Sequence, residues 1–323
     1  MLPKEIIKEI KEKESNIKSL IFVGCGASIA DLYPAKYFLE ENSKEIRVSS
    51  YTANEFNYAT PKSVNSNSII ITASLGGATP ETVEATIKAK KLGAYVISLT
   101  KEKDSPLAKA NPDYLIVHGF GKNYASKLEK MTIALQLAVE VLNQFEGYDA
   151  YQEMLNGFNK IYDLIEESVL SVVPQAKEFA ATYKDEEVVY FMSSGATQNV
   201  AYATSICLFM EMQWINSGNF HAGEFFHGPF EIVEEGVPFV LFMNEGKTRP
   251  IDSRALTFLQ RFGAKVTVLD AKDFGLSSEI SKEVIDYFNP MLLTAVMRVY
   301  AQQLAEARNH PLTKRRYMWK LEY

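Results

Sequence analysis

The sequence repeats itself with a spacing of about 170 residues, and this repeat limits the possible folds more than any other feature. Three pairs of segments share the spacing: Leu20–Ser28 with Val189–Thr197, Gly77 and Thr79 with Gly246 and Thr248, and Gly93–Val96 with Gly263–Val266. The offsets are 169 (189 − 20 and 246 − 77) and 170 (263 − 93). Because three separate segments keep nearly one register, we predict a tandem duplication. We expect a first domain at 1–150, a second at 151–308 and a C-terminal tail at 309–323.

Each half alternates short apolar strands with amphipathic helices. The predicted strands are 19–23, 68–73 and 95–99 in the first half and 188–192, 239–243 and 265–269 in the second. The predicted helices of the first half are 30–41, 80–92 and 126–145. Buried strands that alternate with helices form parallel βαβ units. The sequence therefore predicts an α/β protein in which each half is a three-layer αβα sandwich around a parallel sheet.

Composition excludes several classes of protein. There are 34 Lys and Arg residues and 40 Asp and Glu residues, so the net charge is −6, which argues against a nucleic-acid or anionic membrane partner. Two cysteines, Cys25 and Cys207, are too few for a disulfide framework. No apolar run approaches the roughly 20 residues that cross a bilayer, and the N-terminus lacks a signal-peptide core. We therefore expect a cytoplasmic protein.

Two loops of the first half follow strands and have the small residues that an anion site needs. One is Gly24–Ser28; the other is Ser74–Thr79, which leads into Pro80. Ligands of such sheets bind beyond the carboxyl ends of the strands, and free N–H groups at a helix start attract phosphate. Thr79 before Pro80 is also a good N-cap, so glycine turns and a capped helix explain the same residues without a ligand. Neither loop is a Walker motif or a dinucleotide fingerprint.

Glu211 is the one formally charged residue between Glu187 and Glu224, in a segment that is apolar nearly all round. A buried helix there would raise the pKa of the carboxyl group toward the range of a general base, although a structural glutamate is the alternative. His227 precedes Gly-Pro and is predicted to lie at a turn, where a histidine suits acid–base work.

The histidines allow two further interpretations, a metal site and a structural role. His221, Glu224 and His227 fit no zincin spacing, so a metal site is disfavoured. His118 is expected to lie at the end of a strand.

These residues resemble the sugar isomerase (SIS) family, and two SIS halves cover nearly the whole chain. The most specific stretches are 223–231, which contains His-Gly-Pro, and the tail 310–320. The sequence is similar to the isomerase part of glucosamine-6-phosphate synthase and more similar to the fructosamine-6-phosphate deglycases.

The resemblance implies roles for individual residues. Substrate contacts are implied for the two loops and for a serine after the third strand: Ser28, Ser74, Gly76, Gly77, Thr79 and Ser126. Gly76 departs from the synthase motif, where serine or lysine is usual, and Leu75 replaces a polar residue, so backbone N–H groups must contribute more of the phosphate binding. Glu211 matches the glutamate that moves a proton between C1 and C2. His227 matches a histidine that typically reaches the site from a neighbouring subunit.

The implied activity is deglycation: a phosphorylated sugar–amine adduct, such as fructoselysine or glucoselysine 6-phosphate, is cleaved to a hexose phosphate and a free amino acid. The reaction requires no metal, flavin or nicotinamide, and the expected assembly is a homodimer or a higher homo-oligomer. The chain reaches its first strand by Ser19, so we expect no glutamine-hydrolysing domain and favour amine cleavage over amino-sugar synthesis. An aldose–ketose isomerase, an amino-sugar deaminase and a non-catalytic sugar-phosphate sensor are the alternatives. The released amine and the linkage at C1 or C2 stay open.

Overall fold

Apolar strands and the helices between them form two α/β units in the computed structural model. The structure describes residues 1–119 and 129–322. Of these, 1–119 and 129–158 belong to the first unit and 159–322 to the second.

Among the described residues, the first unit contains five strands. Its helices alternate with these strands along the chain. Its strands are β1 (Ser19–Gly24), β2 (Arg47–Thr52), β3 (Ser68–Ala73), β4 (Tyr95–Thr100) and β5 (Tyr114–Val117). Its helices are α1 (Pro3–Lys13), α2 (Ala27–Asn42), α3 (Ala53–Tyr58), α4 (Pro80–Lys91), α5 (Pro106–Lys109) and α6 (Lys130–Phe145). Helix α7 (Tyr151–Ser171) runs from the first unit into the second.

The sheet of the first unit is parallel, in the order β2-β1-β3-β4-β5. Strands β1 and β3 are buried along their whole length. Side chains alternate between the two faces of a strand, so Ile21 and Val23 join one core with α3 and α4. Helices α1, α2 and α6 pack together as another layer. The predicted three-layer α/β architecture is thus confirmed in this unit.

The second unit repeats this plan with four strands. They are β6 (Val188–Ser193), β7 (Asn216–His221), β8 (Pro238–Met243) and β9 (Lys265–Asp270), parallel in the order β7-β6-β8-β9. The helices are α8 (Val173–Tyr183), α9 (Gln198–Ala203), α10 (Arg249–Arg261), α11 (Leu276–Glu279) and α12 (Asn289–Ala307). Strand starts in the two units differ by 169 (188 − 19 and 216 − 47) or 170 (238 − 68 and 265 − 95). The repeat found in the sequence is therefore a repeat of strand order as well.

The structure corrects the predicted elements mainly at the sheet edges. The six predicted strands are present, each within one residue of its predicted ends. Strands β2, β5 and β7 were not predicted, because their sequences are too polar or too short for an apolar run. Among the residues that the structure describes, no helix is long and apolar enough to cross a bilayer.

Candidate active site

The loop between β3 and α4 presents two hydroxyl groups at the carboxyl end of the sheet. Ser74 is 4% exposed, and its Oγ lies 2.9 Å from Oγ1 of Thr79. Thr79 occupies the predicted N-cap position of α4 and Pro80 the first helical position, but the Thr79 side chain makes no capping bond. The hydroxyl is therefore turned toward Ser74 rather than toward the helix. This arrangement is compatible with a ligand-binding role and does not match simple capping.

Gly77 forms the turn of this loop. Its φ of +63° is a left-handed conformation that L residues avoid, and a Cβ there would lie 2.2 Å from Ser105 Oγ and 2.7 Å from Thr100 Oγ1. By contrast, a Cβ at Gly76 meets nothing within 4 Å. Only glycine fits at Gly77, whereas Gly76 is an exposed position at which the backbone is open to a ligand.

Backbone donors complete the loop. The N–H groups of Leu75, Gly76, Ala78 and Thr79 donate to no acceptor within the described ranges, while that of Gly77 donates to Ser74 O. Unpaired N–H groups in a turn that leads into a helix form a concave anion-binding surface. The loop therefore has several amide groups and two hydroxyl groups that could contact a phosphate.

Ser28 lies in the first turn of α2 and is held by a buried lysine that the sequence analysis did not identify. Lys130 is 5% exposed, and its Nζ donates to Ser28 Oγ at 2.9 Å and pairs with Asp31 Oδ2 at 3.1 Å. Because the lysine donates to the serine oxygen, the Ser28 hydroxyl hydrogen is left for another acceptor. Nothing local in the sequence marks Lys130, because Lys127 and Glu129 lie beside it.

His118 follows β5 directly, which confirms that it lies at the end of a strand. It is 3% exposed; Nδ1 is 2.9 Å from Gly119 O, and Nε2 has no hydrogen-bond partner among residues 1–119 and 129–322. Burial lowers its pKa, and the charge of Lys130 lowers it further. A neutral imidazole therefore lies in the first unit.

The corresponding loop of the second unit is filled by side chains of its own unit. Lys247 N donates to Asp286 Oδ1 at 2.9 Å, and Glu245 N donates to Asn289 Oδ1 at 2.7 Å. A Cβ at Gly246 would lie 2.1 Å from Asp286 Oδ1, so the carboxylate lies directly over this glycine. Acceptors on the protein thus bind the amides that a phosphate would need. The loop of the second unit therefore differs from the β3–α4 loop, whose amides have no such acceptors among the described residues.

Glu211 ends an eight-residue π-helix, Thr204–Glu211, where an α-helix was expected. The wide turns of π-helices are frequent at functional sites. The chain then reverses at Trp214, whose φ is +57°. The segment is less buried than predicted: Met210 is 42% exposed, and the Glu211 side chain is 23% exposed.

The carboxylate of Glu211 is paired with an arginine of the C-terminal segment. Arg315 Nη2 lies 2.7 Å from Glu211 Oε1, and the arginine is 8% exposed. Burial raises the pKa of Glu211 above its ordinary value, and the Arg315 guanidinium opposes that rise through its charge and its hydrogen bond. The sequence analysis gave Arg315 no role, since nothing local links a tail arginine to a residue about a hundred positions earlier.

His227 lies in a turn, as predicted, and its side chain is exposed. Its N–H donates to Glu224 O at 2.9 Å, and Gly228 after it has a φ of +136°. The turn is anchored by phenylalanines on either side: Phe226 and Phe230 pack edge-on against Phe258 of α10 at 5.4 and 5.7 Å. An exposed histidine on a fixed turn can contact a molecule outside its own unit.

The other predicted residues divide between the described and undescribed parts of the chain. Ser126 lies outside the described residues. His221 Nδ1 accepts a hydrogen bond from Gly223 N at 3.0 Å, and burial lowers the pKa of its ring.

Comparisons with known proteins identify the family. The family model described as SIS domain matches residues 15–141. The chain is 40% identical to fructosamine deglycase FrlB of Bacillus subtilis, over 96% of this chain and 94% of that protein. It is 23% identical to fructoselysine 6-phosphate deglycase of Escherichia coli K12, over 97% of this chain and 88% of that protein.

Solved structures agree with this assignment. A proposed phosphosugar isomerase of Salmonella typhimurium LT2 superposes with a TM-score of 0.96 at 43% identity, covering 99% of this chain and 96% of that one. The C-terminal domain of glucosamine-fructose-6-phosphate aminotransferase from Francisella tularensis has a TM-score of 0.79 at 19% identity, covering 95% and 88%, and shows the fold alone. This chain belongs to the fructosamine deglycase family of SIS-domain enzymes.

Proposed function

We propose that this enzyme cleaves a 6-phosphorylated fructosamine, with fructoselysine 6-phosphate as the working substrate, to glucose 6-phosphate and a free amino acid. The observation that carries the proposal is Glu211: a half-buried carboxylate with one oxygen ion-paired to Arg315, in a chain that shares 40% of its residues with a fructosamine deglycase. A carboxylate of this kind is suited to take a proton from carbon.

The phosphate is bound by the β3–α4 loop. Ser74 and Thr79 use one hydroxyl hydrogen in the bond between them and have the other to donate to the phosphate, and the amides of Gly76 and Ala78 have no other acceptor in the parts of the chain that are described. Binding energy from the remote phosphate holds the sugar for the reaction at C1 and C2. Ser28, which accepts from Lys130, donates its hydroxyl hydrogen to a sugar oxygen.

Glu211 carries the proton between the two carbons. After ring opening, assisted by His227, the carboxylate takes a proton from C1 next to the C2 carbonyl, and O2 gains a proton to give an enaminol. Protonated Glu211 returns the proton to C2. The amine nitrogen loses its hydrogen as the C1–N double bond forms, which balances the proton gained by O2.

Hydrolysis completes the reaction. Water adds to the C1 imine, the C–N bond breaks, and the aldehyde of glucose 6-phosphate and the free amine leave. A well-placed proton-transfer group contributes about 10²–10⁴-fold to the rate.

The enzyme is proposed to act as a cytoplasmic homodimer or higher homo-oligomer in which His227 serves the neighbouring subunit. The exposed side chain on a turn anchored by Phe226 and Phe230 supports this assignment.

The test is a substrate panel. Purified protein is incubated with fructoselysine 6-phosphate, glucoselysine 6-phosphate, fructose 6-phosphate and glucosamine 6-phosphate, and release of amine and hexose phosphate is measured. We expect turnover of one of the two adducts, with Glu211→Gln inactive. Conversion only of fructose 6-phosphate or glucosamine 6-phosphate would instead establish an isomerase or a deaminase. Binding without turnover of any compound would establish a sensor.

A further inference from the structure

The ion pair on Glu211 connects the proposed base to the C-terminal segment, residues 308–320. Arg315 Nη2 contacts Oε1 of the glutamate at 2.7 Å, whereas Oε2 accepts no hydrogen bond among the described residues. Oε1 is therefore held in place by the ion pair with Arg315, and Oε2 is left to accept a proton. This division of the two oxygens suits a general base.

The segment is held in place by contacts that fix Arg315. Its Nη1 donates to Leu312 O at 2.6 Å and Lys314 O at 2.9 Å, and Lys320 Nζ donates to Arg315 O at 2.6 Å. The guanidinium lies 5.2 Å from the ring of Trp319. These bonds turn a flexible side chain into a rigid donor.

The start of the segment is anchored just after the π-helix. Gln213 Nε2 donates to His310 O at 2.8 Å, and the His310 ring packs edge-on against Trp214 at 4.5 Å. The segment is thus attached within three residues of Glu211, independently of the ion pair.

Other charged groups around Glu211 are directed elsewhere. Lys314 and Arg316 lie over the ring of Trp214 at 4.9 and 4.4 Å, and Arg308 donates to Gln213 O. The π-helix carries no second charge. On β7, which packs against it, the titratable group is His221, whose ring nitrogen bonds Gly223 N. The neighbouring β6 and α9 contribute only the phenols of Tyr190 and Tyr202.

We propose that Arg315 is a positioning residue that keeps the Glu211 carboxylate ionised and leaves Oε2 open, so that the docked segment 308–320 is part of the working base. This rests on the proposed function of Glu211 as the base. A cation within hydrogen-bond distance of a carboxylate lowers its pKa by about one to three units relative to the same site without the cation.

Two variants separate charge from packing. Arg315→Gln keeps a hydrogen-bond donor and loses the charge, and Arg315→Lys keeps the charge. In profiles of kcat/KM against pH on the panel's best substrate, we expect the acidic limb of Arg315→Gln to move upward by at least about one pH unit. At pH values below the shifted limb, the activity of Arg315→Gln is then about tenfold lower than that of wild type. At pH values above the limb, the two activities converge. Arg315→Lys restores the limb, and Arg316→Gln, which loses a cation over Trp214, leaves it in place.

A second readout follows Glu211 without turnover. Infrared difference spectra of wild type minus Glu211→Gln, with ¹³C-labelled glutamate, report the ionisation of this one carboxylate. We expect its midpoint to rise in Arg315→Gln. An unchanged midpoint, or unchanged kinetic limbs, would overturn the role of Arg315 while leaving the deglycase activity intact. Absence of turnover with a shifted midpoint would instead reject the proposed function and retain the ion-pair effect.

Discussion

At the scale of single residues, the chemistry depends on which protonation state Glu211 holds. Burial favours the neutral acid, while the Arg315 guanidinium favours the carboxylate; the net pKa is raised. A raised pKa makes a carboxylate a stronger base as long as it stays ionised at the working pH. Activity on the proposed substrate should therefore fall as pH drops through the pKa of this group.

Replacing Glu211 by glutamine should remove catalysis and keep binding. The amide retains the shape of the side chain and a hydrogen-bond acceptor for Arg315, which lies 2.7 Å from Oε1, but it cannot take a proton. We expect kcat to fall by about 10²–10⁴-fold while glucose 6-phosphate still binds by calorimetry. Glu279 forms an exposed ion pair with Lys160 in the same unit, so Glu279→Gln is the matched control and should keep wild-type rates. Near-normal turnover of Glu211→Gln would assign the proton transfer to another group.

The buried carboxyl group of Asp252 is expected to make the stability of the protein depend on pH. It is fully buried; its Oδ2 accepts from Asn244 Nδ2 at 2.6 Å, and Oδ1 has no hydrogen-bond partner in the described part of the chain. Burial raises its pKa to about 7. The folded protein therefore binds this proton more tightly than the unfolded chain, so the contribution of Asp252 to stability declines as pH rises from about 4 to 7.

Asp252→Asn removes that dependence because an amide does not ionise. Relative to wild type, the variant should gain about 1.4 kcal/mol of unfolding free energy for each pH unit between 4 and 7, and the difference should level off above that range. Urea unfolding from pH 4 to 8 measures it. Parallel curves for the two proteins would show that Asp252 stays ionised when buried.

At the scale of elements, the β3–α4 loop depends on one glycine. Gly77→Ala forces a Cβ to within 2.2 Å of Ser105 Oγ and strains a φ of +63°, so the loop must shift. We expect KM to rise about tenfold, which corresponds to the loss of roughly one charge-assisted hydrogen bond. The change in kcat should be smaller. Gly76→Ala, where a Cβ meets nothing, should raise KM less. Equal KM values for the two variants would argue against this loop as the phosphate site.

A strand could be predicted from the sequence when its own residues formed an apolar run, and could not when it depended on pairing with a neighbouring strand. Strands β1, β3 and β8 are buried along their whole length, so their apolar runs alone predict them. Edge strands β2 and β7 are partly exposed and polar, and the pairing that makes them strands comes from β1 and β6. The same limit explains the site: Glu211 is conspicuous as a lone charge, whereas Arg315 and Lys130 acquire their roles only through tertiary contact.

At the scale of the whole molecule, the proposed sharing of His227 between subunits predicts complementation. Inactive Glu211→Gln and His227→Asn proteins are mixed, dissociated and reassociated, and activity is measured on the best substrate. If each site uses the histidine of the neighbouring subunit, the mixture should regain about a quarter to a half of the wild-type rate. The reason is that some sites in mixed dimers receive both functional residues. Native mass spectrometry confirms that mixed dimers form. If they form without activity, each chain uses its own histidine.

The carboxylate of Asp286 lies over Gly246 and accepts a hydrogen bond from Lys247 N. The loop of the second unit therefore needs no ligand to pair its amides, and in this it differs from the loop of the first unit. In the second loop, side chains of the same unit accept the hydrogen bonds of the Glu245 and Lys247 amides. In the first loop, the amides of Gly76 and Ala78 donate to no acceptor among the described residues and are the proposed donors to the substrate phosphate. Deuterium should therefore replace those two hydrogens quickly and slow sharply when glucose 6-phosphate is added, while the amides of Glu245 and Lys247 exchange slowly throughout.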